Sequence, residues 1–205
     1  MNIIHVAREI AALAQTGRHF TDNPYDRERY ERLQHIAAGM LAASSNLDAR
    51  EIHEWNKAEF GYATPKVDVR AFVLREGRVL LVRENSDGGR WTLPGGWADV
   101  NQTPSESAAR EVMEESGYTV RVVRLLAAWD RDRRGHTPPH PFHVYKLFFL
   151  CEITGGAPRP NLESSECGFF DVNDLPELSP ARTLEPEIRT LYDMVRTGDV
   201  EARFD

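Results

Sequence analysis

The hydrophobic period of this chain changes once. Up to about residue 62 apolar side chains recur at helical spacing: Ile3, Val6, Ile10 and Leu13, then Tyr30, Leu33, Ile36, Ala37, Met40 and Leu41, then Ile52, Trp55 and Phe60. Such spacing draws one apolar stripe along each of three amphipathic helices. They are predicted over about Asn2–Gln15, Tyr25–Ala43 and Leu47–Phe60, with an end near Gly17 and a turn at Asp22-Asn23-Pro24. From Gly61-Tyr62-Ala63-Thr64-Pro65 onward the texture is that of strands. Lys66–Leu74, Arg78–Arg83, Thr119–Trp129, Phe142–Ile153 and Cys167–Asp171 are rich in β-branched and aromatic residues, with turn signals at Glu76-Gly77 and Asp87-Gly88-Gly89. Two helical patterns interrupt this run, one after Thr103 and one over Glu185–Thr197. Strands around one internal helix, closed by a terminal helix, predict an α+β chain built as an α/β/α sandwich over 64–205. A small all-helical domain over 1–62 precedes it. About 60 residues make a marginal core, so that domain is expected to pack on the next one or on a second subunit.

Composition narrows the partners. The net charge of −7 argues against general nucleic-acid binding through a basic surface. Cys151 and Cys167 are the only cysteines, without metal-ligand spacing, and Cys151 lies in an apolar run as a buried thiol would. His5, Arg8 and Glu9 break the first apolar run, which is read as helix rather than signal peptide. No later segment approaches a membrane span, and a soluble cytoplasmic protein with no membrane partner is expected.

The chemistry concentrates in Gly95–Tyr118, GGWADVNQTPSESAAREVMEESGY. Thr103 is placed as an N-cap, Pro104 as first helical residue, Glu106 as the capping-box carboxylate and Gly117 as the left-handed stop. Glu111, Glu114 and Glu115 then fall at i, i+3 and i+4 on one helix face. Three like charges on neighbouring turns repel one another unless a cation joins them. A solvated acidic face is the ordinary alternative, but the Pro-Gly-Gly loop ahead of the helix and Arg110 beside Glu111 weigh against it. The stretch resembles the signature of the Nudix (MutT-like) hydrolases, G-x(5)-E-x(7)-R-E-U-x-E-E-x-G-U, with U a bulky apolar residue. Gly96, Arg110, Glu111, Val112, Glu114, Glu115, Gly117 and Tyr118 match at the required spacing, and Gln102 stands where the family has its first Glu.

The resemblance implies a Nudix sandwich with a mixed sheet and Mg²⁺, or Mn²⁺ in its place, held by Glu111, Glu114 and Glu115. The Gly96 carbonyl is a further candidate ligand. It also gives Arg110 an orienting role, partnered by Gln102 through a neutral amide bond instead of a charge pair. That would leave a weakened support contact, not a lost metal site. The general base stays open between Glu114 and the loop residues Glu163 and Glu166. Trp129–His143 (WDRDRRGHTPPHPFH) reads as a polar surface loop. Its Arg131, Arg133, Arg134 and His136 could embrace a phosphate or be balanced by Asp130 and Asp132. Arg70 is a second phosphate-binding candidate, and Trp91 and Trp97 flank the loop as stacking or packing residues. The helical N-terminal region followed by YATPKVDVRA, LPGGWADV and HPFHVYKLFFLCEITGG is similar to bacterial Nudix proteins that hydrolyse nucleoside diphosphates linked to another moiety. CDP-choline pyrophosphatases are the subgroup it resembles most, with ADP-ribose pyrophosphatase as the alternative. A non-catalytic nucleotide sensor is the alternative from another class. Homodimers are the family habit; a short RNA 3′ end is a minor substrate to consider, without a stable nucleic-acid complex.

Overall fold

The computed structural model describes residues 2–45, 47–59, 61–159 and 164–205. It divides into two compact units, one of residues 1–66 with 137–143, the other of residues 67–136 with 144–205.

Three helices make the first unit: α1 (Ile3–Phe20), α2 (Pro24–Ala42) and α3 (Ala49–Ala58). Each start is capped by a side chain that accepts from the first turn: Asn2 from the Ile4 amide, Asn23 from those of Tyr25 and Asp26, Asp48 from that of Arg50. Gly17 does not end α1. A Cβ there would lie 2.3–2.7 Å from the Tyr30 ring, so the glycine serves close packing of α1 on α2. The packing stripe agrees with the predicted one at Ala37, Leu41 and Ile52 and differs from it in α1 and at Leu33 and Ile36. Ala7, Ala11 and Ala14 of α1 and Ala37, Ala38 and Leu41 of α2 are buried, with Ile52 of α3, whereas Ile3, Leu13, Leu33 and Ile36 are exposed. Small side chains let helix backbones approach closely, and the larger apolar groups are turned to the outside.

The second unit holds, in order, β1 (Lys66–Arg75), β2 (Arg78–Glu84), β3 (Arg90–Thr92), β4 (Gly95–Trp97), α4 (Pro104–Ser116), β5 (Tyr118–Asp130), α5 (Arg131–Arg134), β6 (Val144–Gly156), β7 (Ser164–Phe170), α6 (Glu185–Thr197) and β8 (Arg203–Phe204). Among the described residues the strands form one mixed sheet in the order β3-β2-β1-β6-β5-β8, with β4 also on β1 and β7 on β2; β8 runs parallel to β5. Alternation divides β1 between two cores. Val69, Ala71 and Val73 face α4 through Ala108 and Val112, while Phe72 joins Leu81, Leu126 and Phe148 beneath Ile188, Leu191 and Met194 of α6. With both faces covered, β1 is buried without a break from Asp68 to Val73. The chain is thus an α+β sandwich with a helical domain before it.

The segment 129–143 is not a single loop. Trp129 and Asp130 end β5, Asp130 caps the one-turn α5 by accepting from the Asp132 and Arg133 amides, and Gly135 closes it in a left-handed conformation. Residues 137–143 belong to the helical unit, where Phe142 lies 6.0 Å from Trp55 and the His140 carbonyl accepts from Arg8. Among the described residues no helix is long and apolar enough to cross a membrane.

α4 has both predicted ends: Thr103 accepts from the Glu106 amide, Glu106 returns a bond to the Thr103 amide at 2.8 Å, and Gly117 has φ 80°. Thr103→Ala should therefore lower stability by about 1 kcal/mol in a denaturant melt, since the capping box is solvent-exposed and leaves no buried group unpaired.

Candidate active site

Two glycines bring β4 under α4. Gly95 and Gly96 pair with Arg70 and Val69 of β1. A Cβ on Gly95 would meet the Val69 carbonyl oxygen at 2.0 Å, and its φ of 146° is itself one that side chains disfavour. The Gly95 amide donates to Glu115 Oε2 at 2.8 Å. A Cβ on Gly96 would sit 3.1 Å from Glu111 Oε1, so here the backbone passes directly beneath a carboxylate.

Glu111 and Glu115 are buried, 8% and 5% exposed. Burial raises both above the ordinary carboxylate value, Glu115 to about 8 against the opposing pull of Arg70 and the Gly95 amide, Glu111 against that of Arg110. Glu114 stands on the exposed side of the same helix. Arg110 gathers the site's edge. Its Nη2 donates to Glu111 Oε1 at 2.8 Å and lies 3.1 Å from Asp99 Oδ2, its Nη1 donates to Glu114, and its Nε donates to Gln102 Oε1 at 3.2 Å. Neither Asp99 nor Glu84 stands out in the sequence. Glu84, buried at the end of β2, adds a like charge that helps to raise Glu115.

Beneath these acids lies a buried ionic triad. Arg70 makes a two-pronged bond to Asp68 at 2.8 and 2.7 Å and donates to the Leu93 carbonyl at 3.1 Å; Lys146 donates to Asp68 at 2.8 Å. Burial opposes ionisation of Asp68, yet Arg70 and Lys146 hold it well below the usual carboxylate range. Burial brings Lys146 down to about 8 despite Asp68.

Residues 64–194 match the NUDIX domain, and residues 1–55 match a UDP-X-like N-terminal oligomerisation domain. The chain belongs to the Nudix hydrolase family. A Bacillus subtilis (strain 168) protein with the provisional name ADP-ribose pyrophosphatase YjhB is 42% identical over 97% of this chain and 95% of its own. A crystal structure described as a UDP-X diphosphatase superposes with a TM-score of 0.64 at 34% identity, covering 99% of this chain and 98% of that one. A third relative, an ADP-ribose pyrophosphatase from Streptococcus suis 89-1591, gives a TM-score of 0.63 at 37% identity over 69% of this chain and all of its own.

The Nudix helix and the turn before it bring Gln102, Glu111 and Glu114 onto Arg110, with Glu111 over Gly96 and Glu115 on the Gly95 amide. Other predicted site residues fall elsewhere. Arg70 is 3% exposed and its guanidinium is committed to Asp68 and the Leu93 carbonyl, so it is no phosphate grip. His136 is buried between Glu187, 2.9 Å away, and the Pro180 carbonyl, 3.1 Å away. Arg131 is buried and donates to the Ala181 carbonyl, and Arg134 lies over the Trp129 ring at 4.2 Å; Arg133 alone of this group is exposed. The four do not form one phosphate cradle, because a helical turn points them in different directions. Glu166 sits on β7 next to Cys167, whose side chain packs on the α4 face; alternation turns Glu166 to the opposite face, 3.7 Å from Arg83. That removes it from reach of a water over α4. Glu163 lies outside the described residues. Trp91 packs edge-on against Phe170, while Trp97 is 48% exposed beside Gly96.

Divalent cations are the usual cofactors of this family. Among the described residues no three His, Cys, Asp or Glu side chains form a ready-made metal cluster. That still suits a magnesium-type ion, which keeps its waters and takes only one or two carboxylates plus substrate phosphates. Two buried acids that resist ionisation, packed over a glycine backbone, fit such an ion.

The raised acids set a pH dependence in the chelated protein. A carboxylate with a folded pKa above its unfolded one stabilises the fold most below the unfolded value, and that contribution is lost as pH rises through the folded value. In EDTA the melting temperature should therefore fall between about pH 5 and 8. Glu115→Gln, whose amide oxygen can still accept from Gly95, should make that fall shallower; an unchanged slope would rule Glu115 out as its source.

Proposed function

We propose that the chain is a Mg²⁺-dependent pyrophosphohydrolase of nucleoside diphosphates joined to a second moiety. Glu111 and Glu115 over the Gly95–Gly96 backbone are the observation that carries the reading. In it those two glutamates hold the ion with the Gly96 carbonyl, Glu114 takes the proton of the attacking water, and Arg110 keeps Glu111 and Glu114 in place. The ion, when bound, supplies charge neutralisation of the diphosphate and a more acidic water. Water adds to one phosphorus, the bridging P–O bond breaks, and a nucleoside monophosphate leaves with the phosphorylated partner. Positioning and neutralisation account for most of the rate in such transfers. Trp97, exposed at the end of β4, is positioned for stacking on a base.

The names of the similar proteins favour ADP-ribose or a UDP-linked compound as the second-moiety substrate. The subgroup pattern of the sequence favours CDP-choline. A panel of the three with Mg²⁺, with Mn²⁺ and with EDTA separates them by kcat/KM. Turnover should vanish in EDTA, and Glu111→Gln should lower kcat at least about a hundredfold. Metal-independent turnover, or full activity of Glu111→Gln, would refute the assignment.

The helical unit is read as the homodimer contact. Its core rests on alanines, while Leu13, Phe20, Tyr25 and Ile36 stay 47–70% exposed, and the N-terminal match is to an oligomerisation domain. Sedimentation of Leu13→Glu with Ile36→Glu should show a shift from dimer to monomer at micromolar concentration. A native chain that sediments as a monomer would sink this reading.

A further inference from the structure

We propose that Asp99 gives Arg110 the carboxylate that Gln102 lacks, which makes Asp99 a positioning residue for Glu111 and Glu114. The inference rests on the metal-dependent reading of the site and concerns how its ligands are held. Gln102 reaches Arg110 Nε only through a neutral amide oxygen at 3.2 Å, and that oxygen also accepts from Ser107 Oγ at 3.1 Å. A neutral acceptor shared between two donors holds a guanidinium more weakly than a carboxylate does. Asp99 Oδ2 lies 3.1 Å from Nη2, the same nitrogen that donates to Glu111.

The backbone explains why two residues three positions apart reach one arginine. The Gln102 amide donates to the Asp99 carbonyl at 3.3 Å, closing a turn, and Asn101 takes the positive φ of 68° that such a turn needs in its third position. Asparagine tolerates that conformation better than most side chains. The turn ends just before the Thr103 cap, so its two flanking side chains both face the first turns of α4. Arg110 is thereby held by Asp99 and Gln102 from the turn and by Glu111 and Glu114 from the helix. An exposed ion pair by itself contributes little to stability. Asp99 is 60% exposed on its side chain, so its effect belongs to the orientation of the ligands rather than to the fold.

The test uses Mn²⁺ titrated calorimetrically into the nucleotide-free full-length protein, with melting in EDTA to verify folding. Asp99→Asn should weaken ion binding on the order of tenfold, the low end for groups that orient metal ligands. Asp99→Asn combined with Gln102→Glu should recover most of that loss, because the carboxylate returns to Arg110 from the neighbouring position. In turnover assays the Asp99→Asn defect should shrink at saturating Mn²⁺, with the substrate KM little changed. A purely structural role for Asp99 would not be rescued by a charge at position 102. Ion binding by Asp99→Asn within about twofold of the native protein, or no recovery in the double variant, would overturn the proposal and leave the metal reading standing. A native protein that binds no Mn²⁺ would overturn both.

Discussion

The hydrogen bond from the Gly95 amide to Glu115 is the contact on which the site depends. It joins a strand of three residues to the last turn of a helix, and it forms only because Gly95 has no side chain to strike the Val69 carbonyl. With it in place, Glu115 is buried and Gly96 runs beneath Glu111. The cost of burying two carboxylates is offset from below. Arg70 is near enough to pull both toward ionisation, and Arg70 is itself fixed by Asp68, which Lys146 also holds. Removing one member of such a buried set leaves an uncompensated charge, at a cost of about 3–5 kcal/mol. The VDVRA run of β1 is therefore part of the candidate site's foundation.

Much of this was legible in the sequence because it is local. The cap, the capping box, the left-handed Gly117 and the i, i+3, i+4 glutamates depend on residues within one helix, and the structure has α4 between the residues the sequence indicated. Polar residues committed to buried partners were misread. Arg70 and His136 look like ligands in a string, but the first answers Asp68 across one pleat of a buried strand and the second answers Glu187, 51 residues away. Glu166 failed for a different reason: strand alternation decides its direction, and that is known only once Cys167 is seen facing α4. In the helical unit the stripe of large apolar residues drew the eye, whereas the close approach of α1 and α2 selected the alanines.

That choice has a consequence for the helical unit. Alanine contributes little apolar area, so a core of Ala7, Ala38, Leu41 and Ile52 is thin for a body of this size. The larger side chains that would ordinarily thicken it are outside. A small domain gains by placing them there only if a second surface covers them, and a domain that is stable in its assembly need not be stable alone.

Electrostatics link the ion to the substrate. Arg110 is one cation among three carboxylates, those of Asp99, Glu111 and Glu114. With all three ionised, this cluster carries an excess of two negative charges, and the Asp68–Arg70–Lys146 triad behind it has one positive charge to set against Glu115. A diphosphate approaching that surface would meet like charge at close range, where repulsion is strong even at the effective dielectric of a protein surface. A divalent cation matches the excess and reverses the sign of the approach. On the proposed metal-dependent reading, the carboxylates that make the fold costly without an ion also make the substrate's entry conditional on one, so ion and diphosphate should bind with positive coupling rather than independently.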